Sequence, residues 1–569
     1  MSNKQIAKLF KLMASLMELY DENPFKIRAY SGLEYAIDKL DRELSAMSEA
    51  ELEKVEGFGK SVVAKILEIR QRGTFEELEK LASQTPLGVV DMLKIKGIGP
   101  KKVKTLWKEA GIETIESLHL SCEEGRIAQI KGFGEKTQQT ILENIVFLHS
   151  QAGWFYYAEV EPLAWQLEEE FNKLGLTFSL SGDVRRKMET VEELKFMVSS
   201  TSTKAVFEQL AAVPLLETDI RACSPFAWRG KALPLGIRVE IKVCSPEQFG
   251  SRLILDSAGP GHLEKIVVEN QSLSSYFRKN AFPSEKEAYE SLFFPVFVPE
   301  MREGLVEFEE KFISIGSEPP KLIEYGDLKG ALHNHTTYSD GEHTLLQMAQ
   351  KCVQSGWEYF GVADHSKSAQ YASGLTEERV LQQHREIDEI NTQLAPFRIL
   401  KGIESDILGD GSLDYSDEIL RTFDYVVASV HSGLKMSEEK ATTRIIKAIE
   451  NPYTTILGHP TSRLLLKRKG YPLDHKKIIE ACAANGVCIE INANPYRLDL
   501  DWRWIPYALE KEVLLAINPD AHEMEGLRDM YYGVCVARKA GLTEKECLNA
   551  KGLTEILEVF RKKNVPVPL

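Results

Sequence analysis

The chain has 569 residues, enough for three or four domains at ~150 residues each. Its 70 basic and 85 acidic residues give a formal charge of −15, and 43% of its residues are apolar. This excludes a disordered chain, a collagen-like repeat, a small disulfide scaffold and a wholly basic nucleic-acid coat, while leaving room for a local basic surface, because net charge averages over domains.

The opening stretch MSNKQIAKLFKLMASLMELY carries a charge every few residues. It predicts an amphipathic helix, not a signal peptide. No run of about 18 apolar residues occurs, so no membrane span is expected. The eight cysteines form no CxxC pair. They read as free thiols of a reducing compartment, and the expected location is the cytoplasm.

Residues 1–90 and 91–150 read as two helical segments. Together they hold 22 basic and 23 acidic residues, a net of −1. From Lys94 to Lys108 there are six lysines and no acid. Three near-repeats punctuate the region: VEGFGKS at 55–61, IKGIGPK at 95–101 and IKGFGEK at 130–136. Each places Gly-x-Gly before a helical run, so a tight turn delivers free helix amides to a phosphate oxygen. The candidate DNA contacts are Gly57, Gly59, Lys60, Gly97, Gly99, Lys101, Lys102, Gly132, Gly134 and Lys136. One Gly-x-Gly is a weak signal, and three plain helix turns are the bland alternative. The pattern of repeats 40 and 35 residues apart resembles helix-hairpin-helix motifs, which implies a grip on DNA backbone that does not read its sequence.

Residues 151–315 alternate strand-like runs such as FSLSGDV and IRVEIKV with helical stretches, predicting an α+β domain. The polar, proline-containing stretch 316–327 reads as a linker. In 328–569, short apolar strands end near His335, His365, Glu404, His431, His459, Asn494 and Asp520, with gaps of 30, 39, 27, 28, 35 and 26 residues. That is the spacing of βα units and predicts a parallel barrel, whose chemistry gathers at the C-terminal strand ends.

Nine of the twelve histidines lie between 333 and 522. A lone histidine is more often structural than a ligand. Ligand-type residues at nearly every strand end are hard to explain by packing. Imidazole with carboxylate suits zinc, manganese or iron(II). His343, His384 and His475, in polar contexts, read as solvated surface residues.

The motifs HNH, ADH, GIES, SVH, GHP and PDAH resemble those of the PHP phosphoesterases. The resemblance implies a (β/α)7 barrel and a cluster of up to three divalent ions on His333, His335, Asp340, His365, Glu404, His431, His459, Asp520 and His522. Glu404 would bridge two of them. Such ions lower the pKa of a bound water and neutralise phosphate charge. Arg463 in GHPTSR is a candidate phosphate clamp, with a loop arginine as the alternative. Asn492 and Arg497 are weaker candidates for the same mouth.

The order helix-hairpin-helix, α+β, PHP resembles the bacterial family-X DNA polymerases over essentially the whole chain. The resemblance aligns Lys65 with a Schiff-base lyase lysine, supported by Lys26 and Tyr30. The palm departs from the family. In LSGDVRRKMETVEELKFMV, Arg185 and Arg186 are retained, but the expected serine is Asp183, the Asp-x-Asp pair reads Glu193 and Lys195, and the third aspartate reads Glu240. A lysine where a metal ligand belongs opposes magnesium binding. The resulting expectation is a DNA-repair phosphoesterase, either a 3′→5′ exonuclease or an abasic-site endonuclease, with a polymerase-beta-like palm that has lost nucleotidyl transfer. Magnesium would be a cofactor only for an active palm. The alternatives are an active polymerase with PHP proofreading, a DNA-end scaffold, and a small-phosphate-ester phosphatase.

Overall fold

The computed structural model describes residues 3–561 apart from 39, 41, 45, 46, 56, 94, 96, 97, 269 and 314–318. Its contacts divide the chain into two compact units, Met1–Leu148 and His149–Leu569. Among the described residues no helix is long and apolar enough to cross a membrane. None of the eight cysteines forms a disulfide.

The first unit is helical, and one apolar core runs through it from Ile6 to Ile145. The repeated glycines sit where the motif reading put them. Gly59 and Gly99 cap the helices Lys60–Arg72 and Pro100–Lys108, and Gly134 accepts the first-turn amides of Thr137 and Gln138. Gly57 and Gly132 adopt φ of +88° and +92°, which explains glycine there. Gly59 and Gly99 have ordinary negative φ, and a Cβ at Gly59, Gly99 or Gly134 would meet nothing within 4 Å. The fold itself therefore does not demand glycine at these three positions. Gly97 lies outside the described residues.

The second unit opens with a mixed sheet. A short antiparallel pair joins β1 (Phe155–Tyr156) to β3 (Thr190–Val191). The main sheet has the order β2 (Thr177–Ser181), β4 (Glu193–Ser199), β7 (Ile237–Cys244), β6 (Ala227–Ala232), β5 (Leu216–Thr218). Only β4 and β7 pair in parallel, with Lys195 opposite Glu240.

The barrel follows as seven parallel strands in chain order: β8 (Gly330–Ala331), β9 (Tyr359–Val362), β10 (Arg398–Asp406), β11 (Tyr425–Ser429), β12 (Ile456–Leu457), β13 (Cys488–Asn492) and β14 (Leu515–Asn518). Their continuous burial is what a sheet covered on both faces requires. The ring is drawn together where Asn334 bridges Ala521 in parallel and the His335 amide donates to the Ala521 carbonyl at 2.8 Å. Tyr425 plugs the barrel interior and donates to the Leu332 carbonyl. A Cβ at Gly361 or Gly402 would approach its side chain to 2.4 or 2.3 Å.

The sheet domain and the barrel are joined by buried polar contacts. Trp502 Nε1 donates to Glu189 at 2.8 Å, Tyr531 to Glu161 at 2.6 Å, and the fully buried Lys539 pairs with Glu303 at 3.0 Å. Within the stretch read as a linker, Leu322 and Ile323 are buried while most of its other described residues are exposed. Ile323 is fully buried in the barrel core, and its amide donates to Leu542.

Candidate metal centre

All nine residues expected as ligands converge at the C-terminal ends of the barrel strands. Glu404, at the end of β10, is the hub. Its Oε1 lies 3.2 Å from His333 Nε2, 3.1 Å from His431 Nε2 and 3.0 Å from His459 Nε2, and its Oε2 lies 2.9 Å from His365 Nδ1. Asp520 Oδ1 is 3.1 Å from His335 Nε2, and Asp340 Oδ1 is 3.4 Å from His522 Nε2 and 3.7 Å from His365 Nε2. Three groups bring ligand atoms within 4.8 Å of one another: His335, Asp340, His365 and His522; His333, His335 and Asp520; His365, Glu404 and His431.

The donor chemistry fits divalent cations. Buried His333 Nε2, His335 Nδ1, His365 Nδ1 and Glu404 Oε2 have no hydrogen-bond partner among the described residues. Several nitrogens and oxygens thus face one another without hydrogen-bond geometry, which is how lone pairs converge on an ion. The opposite nitrogens are anchored. His333 Nδ1 meets Glu490 at 2.7 Å, His431 Nδ1 meets Asp406 at 2.5 Å, and His522 Nδ1 meets the Asp520 carbonyl at 3.1 Å. Such anchoring fixes the tautomer and ring orientation of a ligand.

The electrostatics agree. Burial beside His522 and His365 pushes His335 down to about 3, so it stays a neutral donor. Burial opposes charge on Asp340, Glu404 and Asp520, but the surrounding imidazoles hold all three well below the usual carboxylate range. Burial likewise disfavours charge on His333 and His431, yet Glu490 and Glu404 for the first, and Glu404 for the second, raise both well above the ordinary histidine value. A buried carboxylate cluster demands compensating positive charge, which bound divalent ions supply.

Two anchoring acids escaped the sequence reading. Asp406 follows Glu404, and Glu490 precedes Asn492, each by two residues, the spacing that puts both members of a pair on one strand face. Glu490 is fully buried and accepts from His459 N, Asn492 Nδ2 and Asn518 Nδ2 as well as meeting His333. Asn492 also donates to Asp520 at 3.0 Å.

Other expectations need correction. Arg463 does not reach for the site. Its guanidinium donates to the Arg497 and Leu498 carbonyls and to Asp501, the last at 2.5 Å, and so staples the loop after β13. That loop carries Arg497, whose Nε lies 3.9 Å from Asp520 Oδ2 and makes no hydrogen bond among the described residues. His384 is not solvated: it is 7% exposed and meets Phe423 edge-on at 5.0 Å. His475 is half-buried and stacks on Trp504 at 4.7 Å. His343 is half-buried too. None of these three enters the cluster.

Lys65 sits 3.1 Å from Glu77, to which Tyr30 donates at 2.9 Å, and Lys26 lies 3.8 Å from the same carboxylate. Burial works against the Lys65 charge, but the contacts with Glu77 and Tyr30 outweigh it and raise its pKa. A Schiff-base nucleophile needs the opposite shift.

In the palm every expected metal position is engaged internally. Lys195 pairs with Glu193 at 2.8 Å. Glu240 pairs with Arg229 at 2.5 Å and Lys242 at 3.1 Å. Burial opposes the Glu240 charge, but these cations hold its carboxyl below the ordinary value. Asp183 takes Arg186 at 2.7 Å, and Arg186 also reaches Glu303 at 2.9 Å. Arg185 forms a two-pronged pair with Glu285, both contacts at 2.7 Å, and the buried Arg302 grips the same carboxylate. Among the described residues, no group of three ligating side chains occurs in this domain.

A helical DNA-gripping unit, a palm-like sheet and a PHP-type barrel define the class: a modular DNA-processing enzyme. Comparison with known proteins agrees. A helix-hairpin-helix domain matches residues 1–75, a SAM-like helix-hairpin-helix tandem matches 89–145, and a PHP domain matches 331–494. The DNA polymerase/3′-5′ exonuclease PolX of Bacillus subtilis (strain 168) is 36% identical over 577 residues, covering 99% of this chain and all of that protein. A probable phosphatase of Thermoanaerobacter sp. (strain X514) is 28% identical over 242 residues, 41% of this chain and 94% of its own length. A probable phosphatase of Acetivibrio thermocellus is 33% identical over 171 residues, 29% of this chain and 65% of its own. The chain belongs to the PolX family of DNA polymerase/exonucleases with helix-hairpin-helix and PHP domains.

Proposed function

We propose that the protein hydrolyses phosphodiester bonds of DNA in its barrel, as a 3′→5′ exonuclease or abasic-site endonuclease of repair, and that its palm has lost nucleotidyl transfer. The observation that carries this reading is the contrast between a barrel with three convergent ligand groups and a palm whose candidate ligand acids, Glu193 and Glu240, are paired to lysine or arginine. His333, His335, Asp340, His365, Glu404, His431, His459, Asp520 and His522 would hold up to three zinc, manganese or iron ions. When bound, these ions supply Lewis acidity and an activated water.

The chain's own residues do the rest. Glu490 and Asp406 keep His333 and His431 aimed. Asn492 steadies Asp520. Arg497 is placed to take a non-bridging phosphate oxygen, held in position by Arg463. Residues 1–90 and 91–150 would hold DNA backbone in any sequence through the open glycine turns and the exposed Lys60, Lys101 and Lys136. Residues 151–315 would serve as spacer or end clamp, ahead of the barrel at 328–569.

The test is a gel assay on an end-labelled primer–template in manganese, with and without deoxynucleotides, comparing wild type with His333→Ala. Shortening by the wild type alone, with no extension by either protein, is expected. Extension by either would overturn loss of the palm activity. A second reading, hydrolysis of small phosphate esters, is favoured by the match of the barrel to nearly the whole length of a probable phosphatase. Turnover of a phosphate monoester with intact DNA would select it.

A further inference from the structure

Tyr371 is the one exposed aromatic side chain among the described residues of 330–561, at 58% of its free surface. It does not lie on an outer helix. It stands in the loop after β9, and its ring centre is 5.9 Å from that of the ligand His365. Loops at this end of the barrel surround the metal cluster, so the ring stands at the mouth of the site.

Exposure here does not come from a loose chain. The Leu375 amide returns to the His365 carbonyl at 2.8 Å, Ser366 and Leu375 form a parallel bridge, and the Ala372 and Gly374 amides both donate to the Ala369 carbonyl. Gly374 passes so close to Ser366 that a Cβ would fall 2.0 Å from its carbonyl oxygen. Ser368 ties the loop downward through its amide to Asp414 at 2.7 Å and through its hydroxyl to Asp406 at 2.6 Å. Asp406 is the acid that anchors ligand His431. A backbone pinned on both sides of Tyr371, and linked to a metal ligand, holds the ring beside His365 with more than half of the residue's surface exposed. Leaving so large an apolar surface exposed at a rigid site mouth is what a stacking platform requires.

A phosphate alone would gain nothing from such a face. A nucleobase would, because every base presents a π surface whatever its identity, and stacking on an aromatic side chain is tolerant of sequence. Arg497, beside Asp520, supplies the charge for the phosphate, while Tyr371, beside His365, supplies a flat apolar surface. His335 joins the two flanks, since it contacts Asp520 at 3.1 Å and its ring lies 4.4 Å from that of His365.

We infer that Tyr371 is a specificity-determining platform that receives the base of the nucleotide whose phosphodiester is cut, so that the barrel selects nucleotide ends over simple phosphate esters. This rests on the 3′→5′ exonuclease reading above, since an abasic site offers no base to stack. The experiment uses the full chain and two single-stranded oligonucleotides, alike except that one ends in a 3′ nucleoside and the other in a 3′ tetrahydrofuran abasic residue. The wild type is expected to remove the base-bearing residue roughly tenfold faster in kcat/KM, the scale of one aromatic stack. Tyr371→Phe should keep that preference, and Tyr371→Ala should lose it. A second readout is independent of turnover. With chelator present, the fluorescence of a 3′-terminal 2-aminopurine should be quenched by wild type and Tyr371→Phe but not by Tyr371→Ala. An unchanged preference or unchanged quenching in Tyr371→Ala would overturn the platform while leaving the nuclease reading intact. A wild type that cuts neither oligonucleotide but hydrolyses an aryl phosphate would instead overturn the nuclease reading, and the platform with it.

Discussion

The palm and the barrel mouth are both built from strand ends rich in carboxylates, yet they differ in what those carboxylates touch. Glu193 and Glu240 lie against lysine and arginine, whereas Glu404, Asp340 and Asp520 lie against imidazoles. Ammonium and guanidinium keep their protons at any working pH and have no lone pair to offer, so a carboxylate paired with them is already spent as a ligand. An imidazole can shed its proton and become a ligand itself. The basicity of the partner, more than the number of acids, separates a metal centre from an ion-pair network.

The comparison breaks outright if the barrel does not need its ligands. Substituting His333→Ala or Asp520→Ala, or stripping metal with chelator, should abolish DNA hydrolysis in the gel assay and leave binding to the same DNA intact. Hydrolysis that persists would place the chemistry elsewhere.

The next effect sharpens the role of the anchoring acids. Glu490→Gln replaces the charged acceptor behind His333, and should weaken metal affinity or turnover by about 10- to 100-fold. Titrating manganese against rate would check it, with partial recovery at high metal.

A third test concerns the palm as a fixed ion-pair network. Burial opposes the charge of Glu285, but Arg185 and Arg302 hold its carboxyl down at about 2, against an ordinary 4.5. A pKa depressed in the folded state gives stability that is full above 4.5 and is lost as pH falls toward 2. Glu285→Gln should therefore cost on the order of 3 kcal/mol at pH 6, from about 1.4 kcal/mol per pKa unit, and the gap should shrink below pH 4.5. Urea unfolding at pH 6 and at pH 3 would measure it. A pH-independent gap would show that lost packing, not charge, explains the difference.

The smallest effect belongs to the hairpins. Replacing Lys60, Lys101 or Lys136 with alanine should weaken binding equally for unrelated DNA sequences and lower the salt slope by about one each. A change confined to one sequence would argue against backbone gripping.

Much of the barrel site was legible because metal ligation restricts residue type, and the βα period restricts where those residues fall. His333 to His522 were readable on both counts. Glu490 and Asp406 were not, because an acid within an apolar strand shows no partner until β8 and β11 deliver His333 and His431 to it. The partners of Arg463 and Lys65 were hidden for the same reason. The loop carrying Asp501 and the helix carrying Glu77, each well separated along the chain, claim their charges. His384 looked solvated in a polar helix, yet it lies on the face that packs against Phe423.

The sequence by itself determined the module order, a parallel barrel and, with the family resemblance, nine candidate ligand positions, because strand spacing and the residue types that can ligate are local properties of a chain. Only the tertiary structure decided which charges are free to act. It paired the palm acids with lysine and arginine, converged the barrel acids on imidazole, turned Arg463 into a staple and left Tyr371 exposed at the mouth. A side chain's availability depends on the groups that folding brings within a few ångströms of it, and those groups come from anywhere in the chain.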